Sequence, residues 1–179
     1  MLPVVSGTKR MIVVIDGFTE ISGQAISWLT LAIMAITCTV VVMRYLVGGN
    51  AIALQESVIY LHATVFMLGA AFTLKRGGHV RVDILYRALS TRSRALIDVL
   101  GGLLFLIPVC GLIFWLSWDY VMNSWAAREA SGESTGLPWV YALKTLMLMM
   151  PATLLIQGIA EILRNLLLLL PDVAQEAKP

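Results

Sequence analysis

Charged residues are scarce in this sequence, and the long stretches without them exclude a soluble globular protein. Charged side chains make up 13% of the 179 residues, and hydrophobic residues make up 59%. Soluble domains carry about 25% charged residues. The two cysteines, Cys38 and Cys110, both lie in apolar runs without a paired spacing, which favours small packing residues over a disulfide or a thiolate metal site. The composition therefore predicts an integral membrane protein.

Motifs for catalysis and cofactor binding are also missing. The sequence has no G-x-S-x-G, no H-E-x-x-H and no phosphate-binding glycine loop, so no catalytic residues are predicted. Its two histidines, His62 and His79, fall within a span and outside the membrane, respectively, and cannot enclose one haem iron. The net charge of +2 is too small to indicate nucleic acid. We therefore expect neither an enzyme nor a metal or other cofactor.

The sequence does contain four long apolar runs. Each is long enough to cross a bilayer core of about 30 Å. They predict an all-α membrane protein with a single four-span domain at residues 21–170, preceded by a cytoplasmic N-terminal segment at residues 1–20 and followed by a cytoplasmic tail at residues 171–179. The predicted spans lie at about residues 21–43, 51–74, 95–118 and 140–170.

The connection between the second and third spans is strongly basic. Residues 75–94 hold six Lys and Arg residues against one acid, Asp83. Apolar residues recur there at helical spacing, which predicts an interfacial helix at about residues 79–92 that faces anionic lipid headgroups. The positive-inside rule places this connection, and with it both termini, in the cytoplasm.

Polar residues within the spans are functional candidates, because a charge at the bilayer centre costs about 2.5–3.5 kcal/mol on insertion scales. All of them lie near the ends of spans, which favours structural or subunit contacts over ion coupling, and Glu56 has the strongest claim to a function. Glu161 and Arg164 are spaced i, i+3, which allows a direct pair. Whether Glu56, Asp98 and Glu161 pair within the chain or with another subunit stays open from the sequence. The intramembrane candidates are Glu56, Asp98, Gln157 and Glu161.

One segment resembles a known family. The sequence LGAAFTLKRGGHVRVDIL, residues 68–85, is similar to the signature of the small membrane subunit of tripartite ATP-independent periplasmic (TRAP) transporters, the DctQ-like small permeases. The G-L-P turn at Gly136–Pro138 and the segment L-I-Q-G-I-A-E at Leu155–Glu161 are also similar. The resemblance covers nearly the whole chain.

The resemblance implies a scaffold subunit in a bacterial inner membrane that braces a large permease subunit. The large subunit would carry the substrate and sodium sites, and a periplasmic binding protein would deliver an organic acid. The family motif would shape the interfacial helix through Arg76, Gly78, His79, Arg81, Asp83 and Arg87. Candidate docking residues for the binding protein are Gly48, Asn50, Arg128, Glu129, Glu133 and Trp139.

Two alternatives stay open from the sequence. A membrane anchor of a respiratory complex would also be a small four-span protein, and it predicts a haem or quinone site. A self-contained proton-coupled transporter would use Glu56 for proton exchange. The sequence does not give the substrate, because the resemblance implies that specificity belongs to other chains.

Overall fold

The computed structural model describes residues 2–49, 51–78 and 89–170, and within these ranges the chain is helical with no strand. The α-helices are α1 Leu2–Ser27, α2 Leu29–Val42, α3 Ile52–Lys75, α4 Thr91–Gly101, α5 Ile107–Ala127 and α6 Val140–Leu169. A π-helical turn, Met43–Val47, follows α2, and another, Gly102–Leu106, joins α4 to α5. Both turns continue the helical path.

Four helical stretches are long and apolar enough to cross a membrane. They are Val5–Leu46, Ile52–Lys75, Thr91–Ala127 and Val140–Leu169. Apolar helices of this length satisfy their own backbone hydrogen bonds, which is the requirement for crossing lipid. The predicted all-α membrane fold with four spanning helices is confirmed.

Most of the predicted interfacial helix lies outside the described residues. Its last two residues, Thr91 and Arg92, form the first turn of α4. Ser90 caps that helix, because its hydroxyl accepts a hydrogen bond from the backbone N–H of Ser93 at 3.2 Å. The helix of the third span therefore begins at Thr91, earlier than residue 95, where the predicted span starts.

Left-handed backbone conformations end three of the long helices. Gly48 has φ +70° after the π-turn that follows α2, and Gly77 has φ +64° just after α3. Glycine adopts this conformation without a steric penalty. Arg128, with φ +44°, ends α5 and also adopts the left-handed conformation, although it is not a glycine. These residues set the points at which the chain leaves each span.

The bundle is built around α6, which packs against α1, α3, α4 and α5. Glycines let the helices approach closely. A Cβ on Gly158 would lie 2.2 Å from Leu106 Cδ2, and one on Gly102 would lie 2.6 Å from Ile162 Cγ1. On α1, a Cβ on Gly23 would lie 2.3 Å from the ring of Phe72. Small residues at such contacts are typical of helix packing in membranes.

The N-terminal helix joins the bundle directly. Residue 20, the predicted boundary of the N-terminal segment, lies inside α1 and not at a helix end. The physical reason is that Asp16 and Glu20, which interrupt the apolar pattern, are paired with cations from α6 and α3. The paired acids allow α1 to pack along both helices, with Ile12 and Thr19 buried.

Candidate functional site

The family motif is only partly described by the structure. Arg76 and Gly78 lie just after α3, where the Gly78 N–H donates to the Thr73 carbonyl at 2.9 Å. The Arg76 guanidinium lies over the Phe72 ring, 5.1 Å from its centroid. The other motif residues, which are outside the described residues, are His79, Arg81, Asp83 and Arg87.

Arg76 and Lys75 both pair with one carboxylate on α1. Lys75 Nζ lies 2.6 Å from Glu20 Oε2 and donates to the Asp16 carbonyl oxygen at 2.9 Å. Arg76 Nη2 pairs with Glu20 Oε1, which also accepts from Gln24 Nε2 at 2.9 Å. These residues form the Glu20 cluster. It joins the end of α3 to the C-terminal half of α1.

A second group of polar residues joins α1 to α6, and we call it the Asp16 cluster. Arg164 Nη2 lies 2.6 Å from Asp16 Oδ2, and its Nη1 lies 2.6 Å from Glu161 Oε1. Glu161 thus pairs with Arg164 within the chain, which is one of the arrangements that the sequence left open. Gln157 Nε2 donates to Asp16 Oδ1 at 3.0 Å and to Glu161 Oε1 at 3.3 Å, and Gln157 Oε1 accepts from Thr19 Oγ1 at 2.7 Å.

Burial makes the Asp16 cluster a fixed arrangement. Gln157 is 0% exposed and Thr19 is 4% exposed, and both ends of the Gln157 amide are hydrogen-bonded. A buried polar group that lost such partners would cost about 1–3 kcal/mol. The cluster therefore holds α1 and α6 in one register.

Sequence reasoning found Gln157, Glu161 and Arg164 but missed their partners on α1. Asp16 and Thr19 fall within the predicted N-terminal segment, residues 1–20, and outside the predicted spans. A signal was present, because Asp16, Thr19 and Gly23 are spaced i, i+3, i+7 and so share one helix face. On that face, Asp16 and Thr19 form hydrogen bonds with Gln157, and Gly23 lies against the Phe72 ring.

Glu56 lies at the other end of α3, roughly 28 Å from Lys75 along the helix axis. Its Oε1 accepts from the Ser131 hydroxyl, and its Oε2 accepts from the backbone N–H of Leu137 at 2.6 Å. Ser131 N also donates to the Leu137 carbonyl at 3.0 Å. A Cβ on Gly136 would lie 2.8 Å from Glu56 Oε1, so glycine lets the loop approach this carboxylate closely. We call these residues the Glu56 loop site.

Glu129 lies at the start of the same loop and forms hydrogen bonds with residues of α5 and α6. Its Oε2 accepts from Lys144 Nζ and from the Ser124 hydroxyl, the latter at 2.6 Å. These hydrogen bonds, from Lys144 first and Ser124 second, lower the pKa of the Glu129 carboxyl. Lys144 Nζ also lies 4.1 Å from the centroid of the Tyr120 ring. Trp125 Nε1 donates to Thr145 Oγ1 at 2.8 Å, which adds a second contact between α5 and α6.

The structure brings some of the predicted docking residues together and leaves others apart. Glu129 and Glu133 lie in the loop that Glu56 holds, where the Glu133 N–H donates to Ser131 Oγ at 3.2 Å. Trp139, at the end of that loop, is 53% exposed. Gly48 follows the α2 span, and Asn50 is outside the described residues. The loop from residue 129 to 139 thus carries three of the predicted docking residues, Glu129, Glu133 and Trp139.

The hydrogen bonds and ion pairs of these sites join helices to helices and a loop to helices. Among residues 2–49, 51–78 and 89–170, no group of three or more His, Cys, Asp or Glu residues is placed to hold a metal ion. Asp98, the remaining intramembrane candidate, is half-buried on α4. Asp16, Glu20, Glu56 and Glu129 each accept from donors on another element of the chain, whereas Glu161 accepts from Gln157 and Arg164 of its own helix.

Comparisons with known proteins place the chain in a family. Residues 33–168 match the family described as "Tripartite ATP-independent periplasmic transporters, DctQ component". The "C4-dicarboxylate TRAP transporter small permease protein DctQ" of Vibrio cholerae serotype O1 is 33% identical over 110 residues. That match covers 60% of this chain and 45% of the relative, so this chain spans less than half of the relative's length. No solved structure gives a significant match.

The family match covers more than half of the chain and includes α3, α4, α5 and α6. It contains Glu56, Gln157 and Arg164, and thus residues of both the Glu56 loop site and the Asp16 cluster. Members of the family are transporter components, not enzymes. This chain is a multi-pass membrane protein that belongs to the DctQ component family of tripartite ATP-independent periplasmic transporters.

Proposed function

We propose that the chain is the small scaffold subunit of a TRAP transporter. It braces the large permease subunit, which carries out sodium-coupled uptake of an organic acid delivered by a periplasmic binding protein. The Vibrio relative is named as a C4-dicarboxylate transporter protein, and C4-dicarboxylates are organic acids. The chain itself binds neither substrate nor sodium.

The observation that carries this proposal is the pairing of intramembrane carboxylates between helices. Asp16 and Glu161 share Arg164, and Glu20 pairs with Lys75 and Arg76. A carboxylate that couples to ion movement must be able to release its partner during transport, whereas these side chains join neighbouring helices. Such contacts suit a brace, which has to keep its shape while its partner moves.

The Glu56 loop site supports a docking role for the residue 129–139 loop. Glu56 fixes the backbone of the loop at Leu137, while Glu133 and Trp139 remain exposed. A surface loop with a fixed backbone and exposed acidic and aromatic side chains can bind a soluble partner without first losing much conformational entropy. We propose that this loop contacts the periplasmic binding protein.

This assignment requires the loop to face the periplasm and both termini to face the cytoplasm. The six cations of residues 75–94 support that orientation. The test is labelling with a membrane-impermeant thiol reagent after Cys38 and Cys110 are replaced by serine. A cysteine at Glu133 should react in intact cells, and one at Lys9 should react only after the inner membrane is opened. The reverse pattern would contradict the orientation.

Purification and reconstitution test the scaffold role. The tagged chain, purified in mild detergent, should retain a large multi-span permease in a fixed stoichiometry. Liposomes that contain both subunits should import substrate when the binding protein and a sodium gradient are present. Liposomes with this chain alone should import none, and sodium-driven uptake by the chain alone would disprove the proposal.

The alternative of a self-contained proton-coupled transporter is less well supported. Glu56 is engaged by a hydroxyl and a backbone N–H of an ordered loop, which is a structural arrangement. Under the scaffold proposal, Glu56→Gln changes transport only through assembly with the other subunits. A proton-coupled transporter would instead lose proton-driven uptake by the isolated chain. The respiratory-anchor alternative has no support from the family match.

A further inference from the structure

A groove runs along the seam where α1, α3 and α6 meet, and we call it the seam groove. Its volume is about 160 Å³. Thr19 and Ala71 form a buried floor, each 4% exposed. Phe18, Met149 and Ile156 form a rim that is exposed along the sides of the spans. The groove therefore opens sideways, toward the lipid surroundings of the helices.

The polar atoms that line the groove are already hydrogen-bonded. Thr19 Oγ1 donates to Gln157, Ser22 Oγ donates to the Thr19 carbonyl at 3.1 Å, and Thr153 Oγ1 donates to the Met149 carbonyl at 2.9 Å. The remaining surface is apolar and would favour an apolar occupant. Such an occupant needs no hydrogen bonds from the groove.

The width of the groove limits what can enter. An engineered apolar cavity of about 150 Å³ holds a molecule of the size of benzene. A helix is about 10 Å across and does not fit into a space of this volume. The groove suits a single hydrocarbon chain or one large side chain.

Positive charge at one end of the groove distinguishes between these two occupants. Lys75 lies one helical turn beyond the floor residue Ala71, about 6 Å along α3. Arg76 follows it, with its side chain 58% exposed. The two cations share the single carboxylate of Glu20, and the bond from Arg76 to Glu20 uses only Nη2. A guanidinium has five N–H donors, so with respect to the described residues others remain for an anionic group such as a phosphate.

We propose that the seam groove binds one acyl chain of an anionic phospholipid, whose phosphate contacts Arg76. The membrane supplies this ligand without any other protein, and the proposal does not depend on the transport role above. The bound lipid fills the seam between the three helices. It thereby becomes part of the bundle.

Native mass spectrometry of the full chain tests the proposal. The purified protein is stripped of lipid in detergent and titrated with phosphatidylglycerol or phosphatidylcholine. The wild type should retain one phosphatidylglycerol molecule tightly, and Ala71→Phe, which fills the floor, should lose it with at least a tenfold drop in affinity. The matched control is Ala35→Phe on the exposed face of α2, which should bind like the wild type. Equal retention by Ala71→Phe and wild type would overturn the proposal.

Two further variants keep the test decisive if Ala71→Phe fails to fold. Ser22→Leu fills the groove from α1 and should also lose the lipid. Arg76→Gln should keep the acyl-chain site but reduce the preference for phosphatidylglycerol over phosphatidylcholine about fivefold, the factor for one cation near an anionic lipid. A wild type that retains both lipids equally would contradict phosphate recognition at Arg76.

A photo-reactive residue at Phe18 separates lipid from protein occupancy. In native membranes it should form an adduct with phospholipid. An adduct with a polypeptide and none with lipid would show that a side chain of a partner fills the groove, and the proposal would be wrong.

Discussion

The two ends of the bundle hold their carboxylates in different ways. In the Asp16 cluster, Asp16 and Glu161 share one guanidinium and one buried amide, and all of these groups lie on helices. In the Glu56 loop site, the carboxylate accepts from a hydroxyl and a backbone N–H of an irregular loop. The first arrangement joins two helices, and the second positions a loop on a helix.

This difference predicts different consequences when each site is broken. Losing the cation of the Asp16 cluster leaves two carboxylates without their main partner between packed helices. The free energy of unfolding of the whole bundle should therefore fall. Losing the Glu56 contacts frees a loop while the spans remain packed, so the opening is local. The Asp16 cluster is therefore expected to determine the stability of the domain, and the Glu56 loop site the conformation of the residue 129–139 loop.

Arg164→Met should have the largest effect. Removing one partner of a buried ion pair costs about 3–5 kcal/mol, and partial exposure of Arg164 reduces this to about 2–3 kcal/mol. Unfolding of the purified protein by SDS titration, followed through tryptophan fluorescence, measures the change in the free energy of unfolding.

Its matched control is a variant without any of the three charges. Asp16→Asn, Glu161→Gln and Arg164→Met together leave no unpaired carboxylate and should recover much of the lost stability. If the triple variant is as unstable as Arg164→Met, packing of the arginine stem and not charge pairing explains the loss.

The sequence predicted the helices better than the contacts between them. Four apolar runs predicted four spanning helices because lipid leaves the backbone no other way to satisfy its hydrogen bonds over such lengths. The i, i+3 spacing of Glu161 and Arg164 showed that a direct pair was possible because both lie on one helix, but it did not show whether Glu161 pairs within the chain. The described helices differ from the predicted spans mainly at their ends, where Asp16, Glu20 and Arg94 made the apolar pattern less continuous.

The sequence contains no comparable signal for contacts between residues that are far apart in the chain. Gln157 meets Asp16 across 141 positions, and Glu56 meets Leu137 across 81. A single sequence shows which residues are polar but not which helices are neighbours. The loop from residue 129 to 139 has no hydrophobic period, so its fixed backbone at Leu137 could not be predicted.

Gly136→Ala should disrupt the Glu56 loop site without unfolding the bundle. The new Cβ would lie 2.3 Å from Ser131 Oγ and 2.8 Å from Glu56 Oε1, so the loop must shift. Such overpacking costs about 1–3 kcal/mol, and we expect the lower end because a surface loop can move. Hydrogen exchange measured by mass spectrometry should speed up in residues 129–139 and stay unchanged in α6.

Gly132→Ala is the matched control for that variant. It adds the same methyl group to the same loop, with no atom within 4 Å of the new Cβ. Exchange in the loop should match the wild type. Equal acceleration in both glycine variants would show that backbone freedom, and not the contact with Glu56, is responsible.

Glu56→Gln should have a smaller and strictly local effect. The amide retains an acceptor but loses the charge, so the hydrogen bonds from Ser131 and Leu137 weaken. Amide exchange at Leu137 should become roughly tenfold faster, the factor for losing about one hydrogen bond. Resistance to SDS should remain that of the wild type, and a general loss of resistance would place Glu56 among the residues that hold the spans together.

The smallest effect should come from Glu129, and it should depend on pH. Because the folded-state pKa of Glu129 is lower than its ordinary value, its pairing with Lys144 and Ser124 stabilises the fold fully above the unfolded-state pKa of about 4.5. This contribution is lost as the pH falls from there through the folded-state pKa. The difference in melting temperature between wild type and Glu129→Gln should thus be constant from pH 7 to about pH 5.5 and shrink below that. Screening by water keeps it small, since the Glu129 side chain is 40% exposed. A difference that instead grew with acidification would mean that the folded protein raises the pKa of this carboxyl, and that the loop at this end is held by contacts other than the Glu129–Lys144 pair.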